Sequence, residues 1–355
     1  MNLKAYGLTP YWEAQHLCMN RPDSRLGRLI RYHGALCVVA MEDGEHTLPA
    51  NIEADDGSSP AVGDWVLVGP DQSGTSLKLD AIMPRRSKIS RKAAGRAVRE
   101  QVMAANVDRV FVVTSLNRDL NLSRIERFLA TVWQSGASPV IVLTKADLVD
   151  DPTAYIDQVE ALAPGVDVHA VSVLSGMGMD GLRSYFQPGV TAILTGSSGV
   201  GKSTLVNALI GQDMLETGAI RQSDSKGRHT TTHRELLPIP GGAVIIDTPG
   251  LRELGLWVDG EAISQTFADI EAYADSCRFR DCSHQSEPGC AVTEAVDQGS
   301  LDPRRLDNYR RMQADVRRIA AREDGFAKAQ EKQRVKNLHK SYKHHQNMKR
   351  KSKGI

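Results

Sequence analysis

Apolar and polar residues alternate in short bursts over the first quarter of the chain. From Arg25 to about Lys88, the runs "RLGRLIRY", "ALCVVAM", "HTLPANI", "DWVLVG" and "SLKLDAIM" are separated by "HG", "EDGE", "DDGSSPAVGD" and "PDQSG". Side chains on a strand point alternately to opposite faces, so five such runs between turn signals predict five short strands forming a small barrel or sandwich. The first two dozen residues have no clear period and read as a loose leader, and the basic stretch "PRRSKISRKAAGR" after the strands reads as a linker. The pattern then changes. "VDRVFVVTSL", a helical "LSRIERFLATVWQSG", "SPVIVLTKADL", "VDVHAVSVLSG", "GVTAILTGSSGVGKSTLVNALIG" and "GGAVIIDTPGL" alternate strand and helix, which predicts a parallel α/β sheet. In "LDPRRLDNYRRMQADVRRIAARED", Leu306, Tyr309, Val316 and Ile319 fall on one helical face, the core side of a small helical domain. No internal repeat is visible.

A chain of 355 residues has room for two or three domains, each with a core, and 25% charged with 41% hydrophobic residues is ordinary for globular proteins. Its apolar runs fall far short of the roughly 18 residues a membrane helix needs, and "MNLKAYGLTPYWEAQHL" holds no apolar secretory core. Five cysteines do not make a disulfide scaffold at this size. The expected compartment is the cytoplasm, with no membrane partner. The net charge of +1 hides an asymmetry: residues 326–355 hold ten Lys/Arg against Glu331 alone, a tail of +9 on a body of −8. Such a tail seeks polyanions.

Chemistry enters with "TGSSGVGKST", Thr195 to Thr204, which fits G-x-x-x-x-G-K-[ST] between a predicted strand, "TAIL", and a helix ended by Gly211. Over Thr195, Gly196, Ser197, Ser198, Gly199, Val200 and Gly201, the glycines let backbone N–H groups close around phosphate oxygens at a helix N-terminus. Lys202 would reach the β- and γ-phosphates, and Ser203 would ligate Mg²⁺. "TKAD" follows another predicted strand. The Asp147 carboxylate offers acceptors to the two adjacent donors of guanine, which adenine lacks, while Lys145 lays its stem over the ring beside Ala146. Thr144 stands where this motif usually has Asn and must tether the loop differently. Ser172 in "VSVLSG" matches the third, weaker base-contacting element. Asp247 in "DTPG" would reach the Mg²⁺ shell through water, and Gly250 would sense the γ-phosphate. Between these motifs lies the hinge-like "SDSKGRHTTTHRE", where Thr231 or Thr232 should meet Mg²⁺. Ras-type GTPases place a Gln after the Asp-Thr-Pro-Gly element, whereas this chain has Leu251, so intrinsic turnover should be slow. His229 is the nearest group that could orient water, with packing or capping as its other role.

The guanine-reading elements therefore precede the phosphate loop, the order of a GTPase cut and rejoined. A parallel sheet tolerates this, because it is specified by strand neighbours and accepts new termini at surface loops. Downstream, Cys277, Cys282, His284 and Cys290 make Cys-x4-Cys-x-His-x5-Cys, a closed tetrahedral shell for one structural Zn²⁺. Cys18 and Cys37 stand apart from it.

The permuted order, "GRHTTTHRE" and the Cys3His cluster together resemble the small ribosomal subunit-dependent GTPase A family over nearly the whole chain. The resemblance implies a multidomain α/β protein: leader 1–24, an OB-fold RNA-binding barrel at 25–90, a circularly permuted P-loop GTPase domain at 91–255, a zinc-binding, mostly helical domain at 256–325 and a basic tail at 326–355. It implies a monomer that binds GTP and GDP, hydrolyses GTP, and assists late maturation of the small ribosomal subunit, including release of another assembly factor. "RRSKISRK" at the barrel's exit and a tail interleaving His339, Tyr342, His344 and His345 with Lys fit a ribosomal RNA partner. The alternatives are a GTP-dependent binding switch that hydrolysis only resets, and a translation or stress regulator that reads guanine nucleotides.

Overall fold

The computed structural model describes residues 2–71, 73–92, 100–117, 120–211, 234–247 and 259–321. The five alternating runs form β1 (Arg25–Tyr32), β2 (Leu36–Met41), β3 (Gly44–Pro49), β4 (Trp65–Pro70) and β5 (Leu77–Ile82). β1 pairs antiparallel with both β2 and β4, β2 with β3, and β4 with β5. Irregular register at Leu29–Arg31 and at Leu67–Val68 bends the ribbons. β3 and β5 come side by side, closing the barrel.

The basic stretch read as a linker is in part a strand. β6 (Lys88–Lys92) pairs antiparallel with β7 (Glu100–Ala105) as a separate two-stranded sheet. Buried Ile89 and Met103 anchor it, while the Lys and Arg residues mask the alternation in the sequence. The leader is likewise structured. A 3₁₀ turn at Leu3–Tyr6, started by Asn2 and ended by Gly7, precedes α1 (Pro10–Cys18). Trp12 is 4% exposed and packs on Trp65 with ring centroids 5.8 Å apart. One aromatic anchor on a short helix leaves no periodic signal.

The second half of the sheet has the order β10 (Val168–Val171), β9 (Ser138–Thr144), β8 (Arg109–Ser115), β11 (Thr191–Thr195), β13 (Val244–Asp247), all parallel, with β12 (Arg234–Pro238) antiparallel to β13. Its buried residues divide by parity, as pleating demands. Val110, Val112, Ile141, Leu143 and Ile193 pack with α2 (Leu122–Ser135) and α3 (Thr153–Leu162) on one face. Phe111, Val113, Val140, Val142 and Leu194 pack with α4 (Met179–Arg183) and α5 (Lys202–Ile210) on the other.

Barrel and sheet are continuous. β1 pairs with β12 at Arg31–Glu235 and Tyr32–Arg234, and Arg31 bridges Glu235 at 2.6 Å and Glu45 at 3.0 Å. Arg28 is fully buried at the same junction, over the Trp65 ring at 4.6 Å and donating to Thr191 Oγ1 at 3.0 Å. Burial brings its guanidinium down to about 10, against the pull of Asp108 and Asp64, so it stays charged at neutral pH. The C-terminal helices are α6 (Gly260–Thr266), α7 (Ala268–Ala274), α8 (Ala291–Asp297) and α9, residues 303–321. Leu306 and Tyr309 are buried as their spacing predicts, joined by Met312, with Val316 packed at the edge. Ile319, grouped with them on periodicity, is only partly covered because α9 runs beyond the core there.

Trp12→Ala should lower the unfolding free energy by about 3 kcal/mol, as for other buried aromatics. An unchanged urea midpoint would mean that α1 is no part of the folded unit.

Candidate nucleotide site and metal centre

β11 is buried along its whole length between β8 and β13, and the chain leaves it at Gly196. A Cβ at Gly196 would lie 2.0 Å from the Val113 carbonyl oxygen, so only glycine lets the loop turn against the neighbouring strand. Gly199 and Gly201 hold φ of 83° and 96°, and α5 starts directly afterwards at Lys202. Val200 is buried in the core beneath, which leaves Ser198 and Gly199 at the surface. Lys202 Nζ donates to the carbonyls of Gly196 at 2.7 Å and Ser197 at 2.6 Å, across the concave side of the loop. Ser203 lies in the first turn of α5, half-buried.

The loop after β9 is bonded to this one. The hydroxyl of Thr144, 4% exposed, lies 2.5 Å from the Val200 carbonyl and 3.1 Å from that of Thr114. This is how the shorter residue tethers the loop: it reaches the phosphate loop's backbone directly. Lys145, with φ 59°, donates from Nζ to the Gly199 carbonyl at 2.9 Å. Ala146 is buried beneath, and the carboxylate of Asp147 is exposed at the rim. Ser172, 1% exposed after β10, accepts from the Ser175 amide at 3.2 Å and so shapes its own loop. Asp247 ends β13, half-buried, in register with Glu235. Thus Thr144, Lys145, the 195–203 loop, Ser172 and Asp247 all stand at the carboxyl ends of parallel strands, where ligands of open α/β sheets bind. His229, Thr231, Thr232, Gly250 and Leu251 lie outside the described residues.

The second cluster is at the far end of the chain. Donor atoms of Cys277, Cys282, His284 and Cys290 all lie within 4.8 Å of one another. Cys277 Sγ is 3.6 Å and Cys290 Sγ 3.5 Å from His284 Nδ1, and the two sulfurs are 3.9 Å apart. Tetrahedral bonds of about 2.3 Å to sulfur and 2.0–2.1 Å to nitrogen give edges of about 3.8 Å between sulfurs and about 3.6 Å from sulfur to nitrogen. The donor set fits a small tetrahedral ion. Burial opposes a thiolate at Cys290, but hydrogen bonds from Thr293 and His284 outweigh it, bringing the thiol to about 6. Glu287 organises the intervening loop, accepting from the amides of Ser283, Gln285 and Ser286 at 2.8–3.1 Å. An isolated acid between the cysteines carries no motif, so the role of Glu287 shows only in the fold.

A phosphate loop on a parallel sheet, with its companion β9 loop arriving earlier in the chain, defines the protein as a circularly permuted P-loop GTPase. The family described as RsgA GTPase matches residues 82–257. A relative from Vibrio parahaemolyticus called "Small ribosomal subunit biogenesis GTPase RsgA 2" is 47% identical, covering 87% of this chain and 84% of its own. A Streptomyces coelicolor relative, "Small ribosomal subunit biogenesis GTPase RsgA", is 45% identical over 92% of this chain and 90% of its own. Among solved structures, YjeQ from Thermotoga maritima superposes with a TM-score of 0.61 at 26% identity, covering 82% of this chain and 98% of that one. YloQ, described as a circularly permuted GTPase, does so with a TM-score of 0.56 at 26% identity, covering 84% and 96%. The chain belongs to the RsgA GTPase family.

Thr144→Val keeps the volume and removes the hydroxyl that faces Val200. We expect GDP to bind roughly tenfold more weakly, the worth of one buried hydrogen bond. Wild-type affinity in a fluorescent-GDP titration would show that the tether has no effect on the loop.

Proposed function

We propose that this chain is a GTP-hydrolysing factor that binds the small ribosomal subunit and assists its late maturation, with turnover stimulated by the subunit. The observation that carries this reading is the bonding of Thr144 and Lys145 into the phosphate loop at Val200 and Gly199, which joins base-reading and phosphate-holding elements across the permuted order. Asp147 accepts from guanine N1–H and its 2-amino group, Lys145 covers the ring, and the backbone around Ser172 meets the guanine oxygen. Backbone amides of residues 196–201 and the ammonium of Lys202 hold the phosphates. Ser203 and, through water, Asp247 would hold Mg²⁺, which when bound neutralises charge on the β- and γ-phosphates. Thr231 or Thr232, Gly250 and His229 are assigned to the switch on sequence alone, His229 as the group that orients water.

The partners in this reading are ribosomal RNA, met by the barrel, the basic β6 region and the tail 326–355, and other assembly factors that come and go. The protein acts as a cytoplasmic monomer. Among the described residues no helix is long and apolar enough to cross a membrane. The ion of the Cys3His cluster is zinc, one per chain, since three thiolates and one imidazole suit that metal and leave no position open.

Two measurements test this. Small subunits should raise GTP turnover at least about tenfold, acting on kcat rather than on nucleotide affinity. Asp147→Asn should lose that turnover with GTP and regain it with XTP, whose C2 carbonyl accepts from the new amide. Turnover indifferent to subunits would overturn the ribosomal role, and unchanged GTP use by the variant would overturn the base assignment. Separately, the purified protein should carry about one zinc, lost in Cys282→Ala along with order in α7–α9, while GDP binding persists. Metal-free protein with an intact C-terminal fold would sink the zinc assignment.

A further inference from the structure

Helix α2 is held from two sides. At its start Asn121 Oδ1 accepts from the Arg124 amide at 3.0 Å, and the Arg124 guanidinium donates to the Ser197 hydroxyl in the phosphate loop. The carbonyl of Ser197 in turn accepts from Lys202 Nζ at 2.6 Å. Two residues on, about 200° around the helix, the Glu126 carboxylate is wholly buried. Its oxygens accept from Arg304 at 3.1 and 3.3 Å, from Arg305 at 2.8 Å and from Asn308 at 2.5 Å, all three on α9. Arg304 also donates to Ser123 Oγ at 3.0 Å. Arg305 continues to both oxygens of Asp269 at 2.7 Å and to the Thr266 carbonyl at 3.0 Å, so one guanidinium fastens α2 to three C-terminal helices. Ala130, a turn further along the same face, is packed into the C-terminal core.

A buried carboxylate with this many charged donors tolerates little displacement, because a shift leaves desolvated charge without a partner. Docking of the C-terminal helices therefore fixes the rotation and height of α2. Those two quantities decide whether the Arg124 side chain reaches residue 197, whose carbonyl seats the phosphate-binding lysine.

We propose that Arg124 is a positioning residue for GTP hydrolysis, and that the metal-binding domain controls it through its grip on Glu126. The inference rests on residues 195–203 being the phosphate loop. A partner that pulls α9 away from α2 withdraws Arg124 from Ser197 and loosens Lys202. By linkage, a nucleotide that moves residue 197 changes how tightly α9 docks.

The test uses full-length protein and steady-state GTP turnover without ribosomal subunits. Arg124→Ala should lower kcat about tenfold with KM changed less than about threefold, and Arg124→Lys, which keeps the charge, should recover part of the loss. Glu126→Gln should lower kcat similarly. Should it fail to fold, Arg304→Ala removes the partly exposed arm of the same cluster and should do the same. Combined with Arg124→Ala, either change should add no further loss, because both act through one residue. Wild-type kcat in Arg124→Ala, or losses that multiply in the double variants, would overturn the proposal. Lys202→Ala separates this from the underlying assignment: if that variant still binds GDP normally, the phosphate loop itself is misassigned.

Discussion

The parallel pairing of β11 with β8 on one side and β13 on the other brings the phosphate loop out at the carboxyl edge of the sheet, beside the loops of β9 and β10. Backbone hydrogen bonding in a parallel sheet depends on neighbours and direction, so chain order is free to change. What is not free is the space at the edge. The Val113 carbonyl stands where any side chain at position 196 would have to go. The hydroxyl of Thr144 and the ammonium of Lys145 then donate to the Val200 and Gly199 carbonyls of the turn.

Helix α2 lies between the phosphate loop and the C-terminal helices, bonded to both. α2 packs on β8 and β9 by its apolar face, through Ile125, Leu129 and Val132. Its other face carries Glu126, a charge that needs partners from elsewhere, and the C-terminal helices provide them. Burial works against charge on Arg305, and Asp269 and Glu126 outweigh it, keeping its pKa above the ordinary value. The centre of the cluster holds its geometry tightly because Glu126, Arg305 and Asn308 are buried and matched.

At the opposite edge, β12 pairs with β1, so the barrel extends the sheet instead of hanging from a linker. Arg28 sits at this join, in contact with Trp65 of the barrel and with Thr191, the first residue of the strand that leads into the phosphate loop. The barrel and the C-terminal helices therefore meet the sheet domain on different sides, the barrel along β12 and the helices along α2.

The sequence by itself determined the strands of the barrel, the alternation of strand and helix, the glycine-rich loop after β11, the β9 loop and the Cys3His grouping that the fold brings together. Each is a local pattern: period two, period 3.6, or fixed spacing imposed by phosphate or metal geometry. The order of these patterns was enough to reveal the permutation. Periodicity failed where a single residue does the packing, as with Trp12 in the leader, and where charged residues cover a strand, as with Ile89 in β6. Only the tertiary structure decided that Thr144 reaches Val200, that β1 continues into β12, and that Arg304, Arg305 and Asn308 converge on Glu126. Those contacts join residues 56 to 204 positions apart, as from Thr144 to Val200 and from Arg31 to Glu235. No local pattern encodes them, because a carboxylate on a helix looks like a solvated charge until the fold buries it.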